Sequence, residues 1–278
     1  MDKVKEAVAS VTAHGVFGMI EGSTVASLKG GATEAMRYFL HPITNDEEFG
    51  VYADALLADR KGLIGDMAGR KLITFGSCFA VNIGRVLKER GFDVYSLLVA
   101  EDINSTFNNL LLLKRIFLGE KSAVSEEMLK IPGMDYDVVR REFEQATDII
   151  FTLGNIFHLV GKDGPTVNAT ENVYLKAETI NETIDCLDKI FFLLGQYTTG
   201  KILVSVSPIP ISGYRGDEFK SAMEADCASK SQLRAVLHAA LRKYKNATYI
   251  PTFEIFRWLP AHQTFAAFGV DDGNCRHL

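Results

Sequence analysis

The feature that most constrains this fold is an alternation, from residue 70 onward, of short apolar runs with helix-forming stretches. A strand followed by a helix and a further strand builds a parallel sheet whose two faces are covered by helices. The pattern therefore predicts a three-layer α/β domain. The predicted strands are 72–75, 94–98, 148–153, 201–205 and 248–250, and the predicted helices are 79–90, 107–118, 179–194 and 221–245.

Polar or glycine-rich segments follow four of the predicted strands. In parallel sheets of this kind, ligands bind in a crevice outside the carboxyl ends of the strands. The sequence therefore predicts one crevice lined by four loops. These segments are "GSC" at 76–78, "EDINST" at 101–106, "LGN" at 153–155 and "SVSPIP" at 205–210.

Residues 1–69 do not show this alternation. They are interrupted by glycines, as in "GSTVASLKGGATEAM", and their clearest periodic segment, "EAMRYFLHPI", favours an amphipathic helix. We therefore expect an N-terminal extension over 1–69, mostly helical, and an α/β domain over 70–278.

Composition and motifs exclude several classes of protein. A net charge of −5 gives no general attraction to nucleic acid or to anionic membranes. The first residues, "MDKVKEAVAS", lack the apolar stretch of a signal peptide, which makes the cytoplasm the expected compartment. The four cysteines form no CxxC pair, and the GxGxxG, GxxxxGK[ST], HExxH and GxSxG motifs do not occur. We therefore expect no cofactor and no metal.

The segment "KLITFGSCFA" places two nucleophile types at the end of the first predicted strand. Gly76 permits a tight turn, and Cys78 then falls at the start of the following helix. Helix N-termini favour the thiolate of a cysteine, and their N–H groups can stabilise an oxyanion. The alternative is structural: Ser77 would cap the helix, and Cys78 would be a small buried side chain.

From Phe75 onward, the chain resembles the GSCFA family. The resemblance lies in "FGSCFA", "EDINSTFNNL", "DIIFTLGN", "VSVSPIPI", "SKSQLRAVL", "YIPTFEIF" and "DDGNCRHL". That family is in turn similar to the SGNH hydrolases. The resemblance implies a flavodoxin-like fold, a nucleophile in a turn after the first strand, and a late Asp-x-x-His segment.

In an SGNH turn the nucleophile is the second residue after the glycine, which corresponds here to Cys78. Ser77 remains the alternative nucleophile, and a site without covalent chemistry is a third possibility. The resemblance makes His277 the candidate base and Asp272 its orienting partner. The Asp-x-x-His spacing is not met, because Asn274 stands three residues before His277 and would orient the imidazole instead.

The resemblance also points to residues for an oxyanion site and for substrate binding. Asn104 and Asn155, with Gly154, lie near the equivalent loops, although the usual Gly-x-Asn spacing is not met. Turn capping is the alternative role of these asparagines. Ser207 begins "SPIP" and would form either a rigid turn or a substrate contact.

Charged side chains offer further candidates. Lys230 and Arg234 lie four residues apart on one predicted helix, as a solvated face or as an anion site. Glu254 would follow the fifth strand, either in the crevice or on the surface. His158 follows an apolar strand and is expected to be a packed side chain.

The leading functional hypothesis is acyl transfer from an ester or thioester, such as an acyl-CoA, through an acyl-enzyme on Cys78. A water acceptor would make the protein an esterase, and a hydroxyl or amine acceptor would make it an acyltransferase. A carbohydrate acceptor is suggested by analogy with SGNH-related enzymes. The alternative is non-covalent binding of a glycan or nucleotide sugar, or another group transfer, in the same crevice.

Overall fold

The computed structural model describes residues 26–29, 35–38, 53, 57, 69–97, 104–128, 134–162, 164–166 and 173–258. The chain divides into two compact units. The larger spans Asp66–Ile250, and the smaller combines Met1–Gly65 with Pro251–Arg276. Most of 1–69 lies outside the described residues, which there include two short strands and the helical residues Ala53 and Leu57.

The described elements, in chain order, are ten strands and seven helices. No helix in this described part is long and apolar enough to cross a membrane. The strands are β1 (Ala26–Lys29), β2 (Ala35–Tyr38), β3 (Lys71–Gly76), β4 (Asp93–Ser96), β5 (Asp148–Leu153), β6 (Phe157–Gly161), β7 (Gly164–Thr166), β8 (Tyr174–Ala177), β9 (Lys201–Val206) and β10 (Ala247–Tyr249). The helices are α1 (Cys78–Glu89), α2 (Thr106–Leu118), α3 (Ala123–Met128), α4 (Tyr136–Gln145), α5 (Ile180–Tyr197), α6 (Ala222–Ala240) and α7 (Thr252–Trp258).

The smaller unit contributes β1, β2 and α7. The strands β1 and β2 pair antiparallel, with Ala26 opposite Tyr38. The sequence pattern had not indicated strands in this region, and β2 lies within the segment "EAMRYFLHPI", for which the helix prediction is wrong over Ala35–Tyr38.

The larger unit is built on a five-stranded sheet in the order β10-β9-β5-β3-β4, with every pair parallel. Counted along the chain, this is the 2-1-3-4-5 order of flavodoxin-like folds. The chain moves one way from β3 to β4 and the other way from β5 onward. The switch point, where ligands bind in such sheets, therefore lies between the carboxyl ends of β3 and β5.

Apolar side chains cover both faces of this sheet. On one face, the ring of Phe75 stacks on Phe151 at 4.3 Å and meets the edge of Phe143 from α4 at 5.3 Å. On the other face, Leu72 packs with Val94 and with Leu87 of α1. This burial on both faces explains why the strand segments are apolar without strict alternation.

The predicted three-layer α/β architecture with a central parallel sheet is confirmed. All five predicted strands and all four predicted helices are present, with ends displaced by no more than five residues. The sequence reading missed α3, α4 and the antiparallel sheet β7-β6-β8. The strands of that small sheet are three to five residues long, and β7 contains glycine and proline, which usually indicate a turn.

Gly76 ends β3 in a conformation that only glycine adopts easily. Its φ is +105°, and a Cβ added there would lie 2.1 Å from the carbonyl oxygen of Thr152 on β5. The glycine therefore serves two purposes, a positive φ and a close approach of two strands.

Gly76→Ala is expected to lower the free energy of unfolding by at least about 3 kcal/mol, because strain and a backbone clash add together. Gly91→Ala is the matched control, since Gly91 has φ +87° but nothing within 4 Å of an added Cβ. It should cost only about 1–2 kcal/mol, the conformational part. Urea denaturation of both variants measures the difference, and equal losses would contradict the close approach.

Candidate active site

Ser77 is fixed to the neighbouring strand rather than to its own helix. Its backbone N–H donates to both the carbonyl oxygen and Oγ1 of Thr152, each at 3.0 Å. Its hydroxyl lies 2.5 Å from Thr152 Oγ1, and the residue is 3% exposed. Ser77 is the N-cap residue of α1, but its side chain makes no capping hydrogen bond. The Ser77 hydroxyl is therefore committed to β5.

Cys78 is the first residue of α1 and is half-buried. The other described cysteines differ from it in exposure: Cys186 is buried and Cys227 is exposed. Burial, the largest effect, raises the pKa of Cys186 to about 12, so that thiol stays protonated at neutral pH. Of the two neighbours, Ser77 and Cys78, the cysteine is the more accessible, and it stands at the positive end of a helix.

The segments that carry Asn104 and Asn155 are joined by their backbones. Asn155 N–H donates to the carbonyl oxygen of Asn104 at 3.3 Å, and Thr106 N–H donates to that of Asn155 at 3.1 Å. Ser105 and Asn155 thus form a parallel bridge just beyond the end of β5. The structure brings these two predicted residues together at the switch point.

Both asparagine side chains are held by their oxygen atoms. Asn109 Nδ2 donates to Asn104 Oδ1 at 3.0 Å, and the Phe157 N–H donates to Asn155 Oδ1 at 2.8 Å. No described residue accepts a hydrogen bond from Nδ2 of either asparagine. Each amide group is thereby oriented through its oxygen; Asn104 is 1% exposed and Asn155 is half-buried.

Two residues of helix α6, Lys230 and Ser229, form hydrogen bonds with the loop between β5 and β6. Lys230 is 3% exposed, and its ammonium donates to the carbonyl oxygen of Gly154 at 2.5 Å. Ser229 Oγ accepts a hydrogen bond from Ile156 N–H at 3.2 Å. Gly154 packs so closely on Asn104 that an added Cβ would lie 2.5 Å from Asn104 Nδ2. The positions on either side of Asn155 are therefore fixed.

Three other predicted residues have structural surroundings of their own. Ser207 is buried, donates its N–H to Leu153 O at 2.8 Å, and accepts from Ile209 N–H through its hydroxyl at 3.3 Å. The Arg234 guanidinium lies 4.2 Å from the ring centroid of Tyr249. Glu254 lies in α7 of the smaller unit.

The predicted base and its orienting groups, His277, Asp272 and Asn274, lie outside the described residues. His158 is 4% exposed and stacks on Phe107 at 4.5 Å. Burial, together with the charge of Lys176, lowers the pKa of His158 to about 4, so its imidazole is neutral at physiological pH.

Sequence reasoning missed three residues that organise the site: Thr152, Asn109 and Glu178. Thr152 and Asn109 belong to "FTLGN" and "FNNL", two of the segments that carry the family resemblance. Glu178 precedes Thr179, which begins the capping box of α5, and carries no signal of its own. In the described part of the chain, no group of three or more His, Cys, Asp or Glu side chains could hold a metal ion.

Comparison with known families identifies the group to which this protein belongs. The GSCFA family matches residues 71–268, which include the Gly76-Ser77-Cys78 turn and both asparagine segments. No curated protein matches the chain. The chain therefore belongs to the GSCFA family.

The hydroxyl of Thr152 is expected to stabilise the turn. Thr152→Val keeps the shape of the side chain but leaves the buried Ser77 hydroxyl without its partner, which should cost about 2 kcal/mol. Thr152→Ser retains the hydroxyl and should lose only about 1 kcal/mol, the contribution of one methyl group. Denaturant titration compares them, and a Thr152→Val protein as stable as wild type would contradict this role.

Proposed function

For this member of the GSCFA family, we propose acyl transfer through a covalent acyl-enzyme on Cys78, with an ester or thioester as donor. One observation carries the proposal. At the switch point of the sheet, the hydroxyl of Ser77 is buried against Thr152, whereas Cys78 is half-buried at the first position of α1. This contrast supports Cys78 over Ser77 as the nucleophile.

In the first half-reaction, the Cys78 thiolate attacks the acyl carbon and forms a C–S bond. The carbonyl electrons move to the oxygen, giving a tetrahedral oxyanion. Its collapse breaks the bond to the leaving alcohol or thiol, which takes a proton from the general acid. Water, a hydroxyl or an amine then attacks the thioester, loses its proton to the same group as general base, and releases the thiolate.

The amide groups of Asn104 and Asn155 are the proposed oxyanion donors. Their oxygen atoms already accept hydrogen bonds from Asn109 and Phe157, so each Nδ2 is oriented before substrate arrives. Donors that need no rearrangement are the most effective in stabilising developing charge. The positive end of the α1 dipole, at Cys78, also stabilises the negative charge that develops on the oxyanion.

His277, oriented by Asp272 or Asn274, is the proposed proton carrier. The described His158 is poorly suited to that role, because its ring is buried against Phe107 and its pKa is lowered to about 4. A neutral imidazole with so low a pKa is a weak base at neutral pH.

A relationship to the SGNH hydrolases belongs to this proposal. It is supported by the flavodoxin-like strand order and by the position of Cys78 directly after the first strand of the sheet. A carbohydrate acceptor extends the same analogy, and an acyl-CoA donor and a cytoplasmic location are further parts of the proposal. The competing hypothesis of non-covalent glycan or nucleotide-sugar binding would use Lys230 and Arg234, but these contact the Gly154 carbonyl and the Tyr249 ring.

Incubation with a panel of activated esters and acyl-CoAs should add one acyl mass to the wild-type protein. Intact-protein mass spectrometry detects the adduct. Cys78→Ala should abolish it, because no thiolate is left to form the C–S bond. Ser77→Ala should retain it, because the Ser77 hydroxyl serves the turn.

The control is Cys227→Ala, which removes an exposed thiol on α6 and should leave the adduct unchanged. An adduct lost in Ser77→Ala but kept in Cys78→Ala would identify the serine as nucleophile. If no donor labels the wild-type protein, the covalent mechanism fails and non-covalent binding takes its place.

Asn155→Asp should slow acylation of Cys78 about 10²-fold, because an oxyanion donor becomes a repelling carboxylate. The Asp side chain keeps an oxygen that can accept from the Phe157 N–H, so the loop should fold as before. The acylation rate is followed by mass spectrometry, with circular dichroism as the check on folding. A folded variant that acylates at the wild-type rate would exclude Asn155 as a donor.

A further inference from the structure

Glu178, which follows β8, connects the two segments that carry the asparagine amides. Its side chain accepts a hydrogen bond at Oε1 from the Phe107 N–H at 2.9 Å, in the first turn of α2. Its backbone N–H donates to the carbonyl oxygen of Ile156, the residue after Asn155, at 2.9 Å. Glu178 is 2% exposed, and a carboxylate at this depth has a structural or functional reason to be there.

The first turn of α2 connects Phe107, which binds Glu178, to Asn104. Asn109, two residues after Phe107, donates its backbone N–H to Ser105 O at 3.0 Å. Its side-chain Nδ2 donates to Asn104 Oδ1 at 3.0 Å. The position of the first turn of α2 therefore determines the direction of the Asn104 amide.

The carboxyl group of Glu178 has two possible hydrogen-bonding states in these surroundings. As a carboxylate it accepts from the Phe107 N–H and, at Oε2, from Thr183 Oγ1 at 3.2 Å. His158 Nδ1 lies 3.9 Å from Glu178 Oε1 and is buried without a hydrogen-bond partner. Once protonated, the carboxyl group can donate to that nitrogen after the two side chains close the 3.9 Å separation, and this movement weakens its bond to Phe107.

We propose that Glu178 is a positioning residue for the acyl transfer described above. As a carboxylate it fixes the first turn of α2, and through it the Asn104 amide, in the arrangement that stabilises the oxyanion. Once protonated, it donates to His158 and releases that turn. The inference rests on the proposed function only through the role of Asn104.

The charge of Glu178 changes within the physiological range. Burial, the largest effect, raises the pKa of Glu178 to about 7, against the opposing hydrogen bonds from Phe107 and Thr183. Because His158 stays neutral down to a pKa of about 4, it is an acceptor, not a cation, throughout this range. Above about pH 7 the fixing carboxylate predominates, and below it the protonated form does.

Two charged neighbours of Glu178 shift its pKa in opposite directions. Lys176 favours the carboxylate of Glu178, and Glu182 opposes it. These two side chains form an ion pair with each other. Among the described residues, the titratable groups that interact with Glu178 are His158 on β6, Lys176 on β8, and Glu182 and Cys186 on α5, while α2 and α6 contribute Phe107 and Gln232.

NMR tests the positioning directly. In the wild-type protein, the Phe107 N–H and the Asn104 side-chain amide resonances should shift with one shared midpoint near pH 7. In Glu178→Gln the shared transition should vanish, because the amide cannot ionise. Glu182→Gln is the control and should retain it. If the two wild-type resonances do not titrate together, or if the transition persists in Glu178→Gln, the proposal is wrong.

The functional test compares the acylation rates of the wild-type protein and Glu178→Gln as a ratio at each pH. Titration of the Cys78 nucleophile affects both rates equally and therefore cancels in the ratio. The ratio should be near one below about pH 6 and should rise to about tenfold above about pH 8. A ratio independent of pH would mean a purely structural role. If Glu178→Gln does not fold, the wild-type titration decides. If Cys78 takes no acyl group at all, the proposed function fails, while the NMR titration still decides the role of Glu178.

Discussion

The close approach of β3 to β5 is the constraint on which the site depends. A side chain at Gly76 would collide with the Thr152 carbonyl, and the same threonine binds the N–H and hydroxyl of Ser77. These contacts determine where α1 begins and therefore where Cys78 stands. The turn needs a glycine for the approach and a serine for the attachment, and it places Cys78 at the first position of α1.

The second part of the site is assembled from the ends of two loops. Asn104 and Asn155 are 51 positions apart in the sequence but adjacent in the fold, where the Asn155 N–H binds the Asn104 carbonyl. Lys230 and Ser229 of α6 form hydrogen bonds with Gly154 and Ile156, the residues before and after Asn155. Main-chain and side-chain hydrogen bonds therefore fix the orientation of both amides.

A buried carboxyl group, that of Glu178, lies 3.9 Å from a buried imidazole, that of His158. Glu178 and His158 are both shifted toward their neutral forms by burial, yet Glu178 also caps the first turn of α2. A charged cap is a stronger acceptor than a neutral one, and desolvation opposes the charge. The balance between these two effects places the pKa of Glu178 near neutrality and connects the geometry of Asn104 to pH.

The sequence by itself determined the parallel sheet, because apolar runs and helical stretches are local patterns that each strand and helix carries within itself. It also determined the turn at Gly76 and placed Cys78 and the asparagines at strand ends. Only the tertiary structure decided that the Ser77 hydroxyl belongs to Thr152, that Lys230 supports Gly154, and that Glu178 joins both loops. The contacts of Ser77 with Thr152, Lys230 with Gly154 and Glu178 with Phe107 each join residues more than 70 positions apart, and no local periodicity records which buried polar groups will meet.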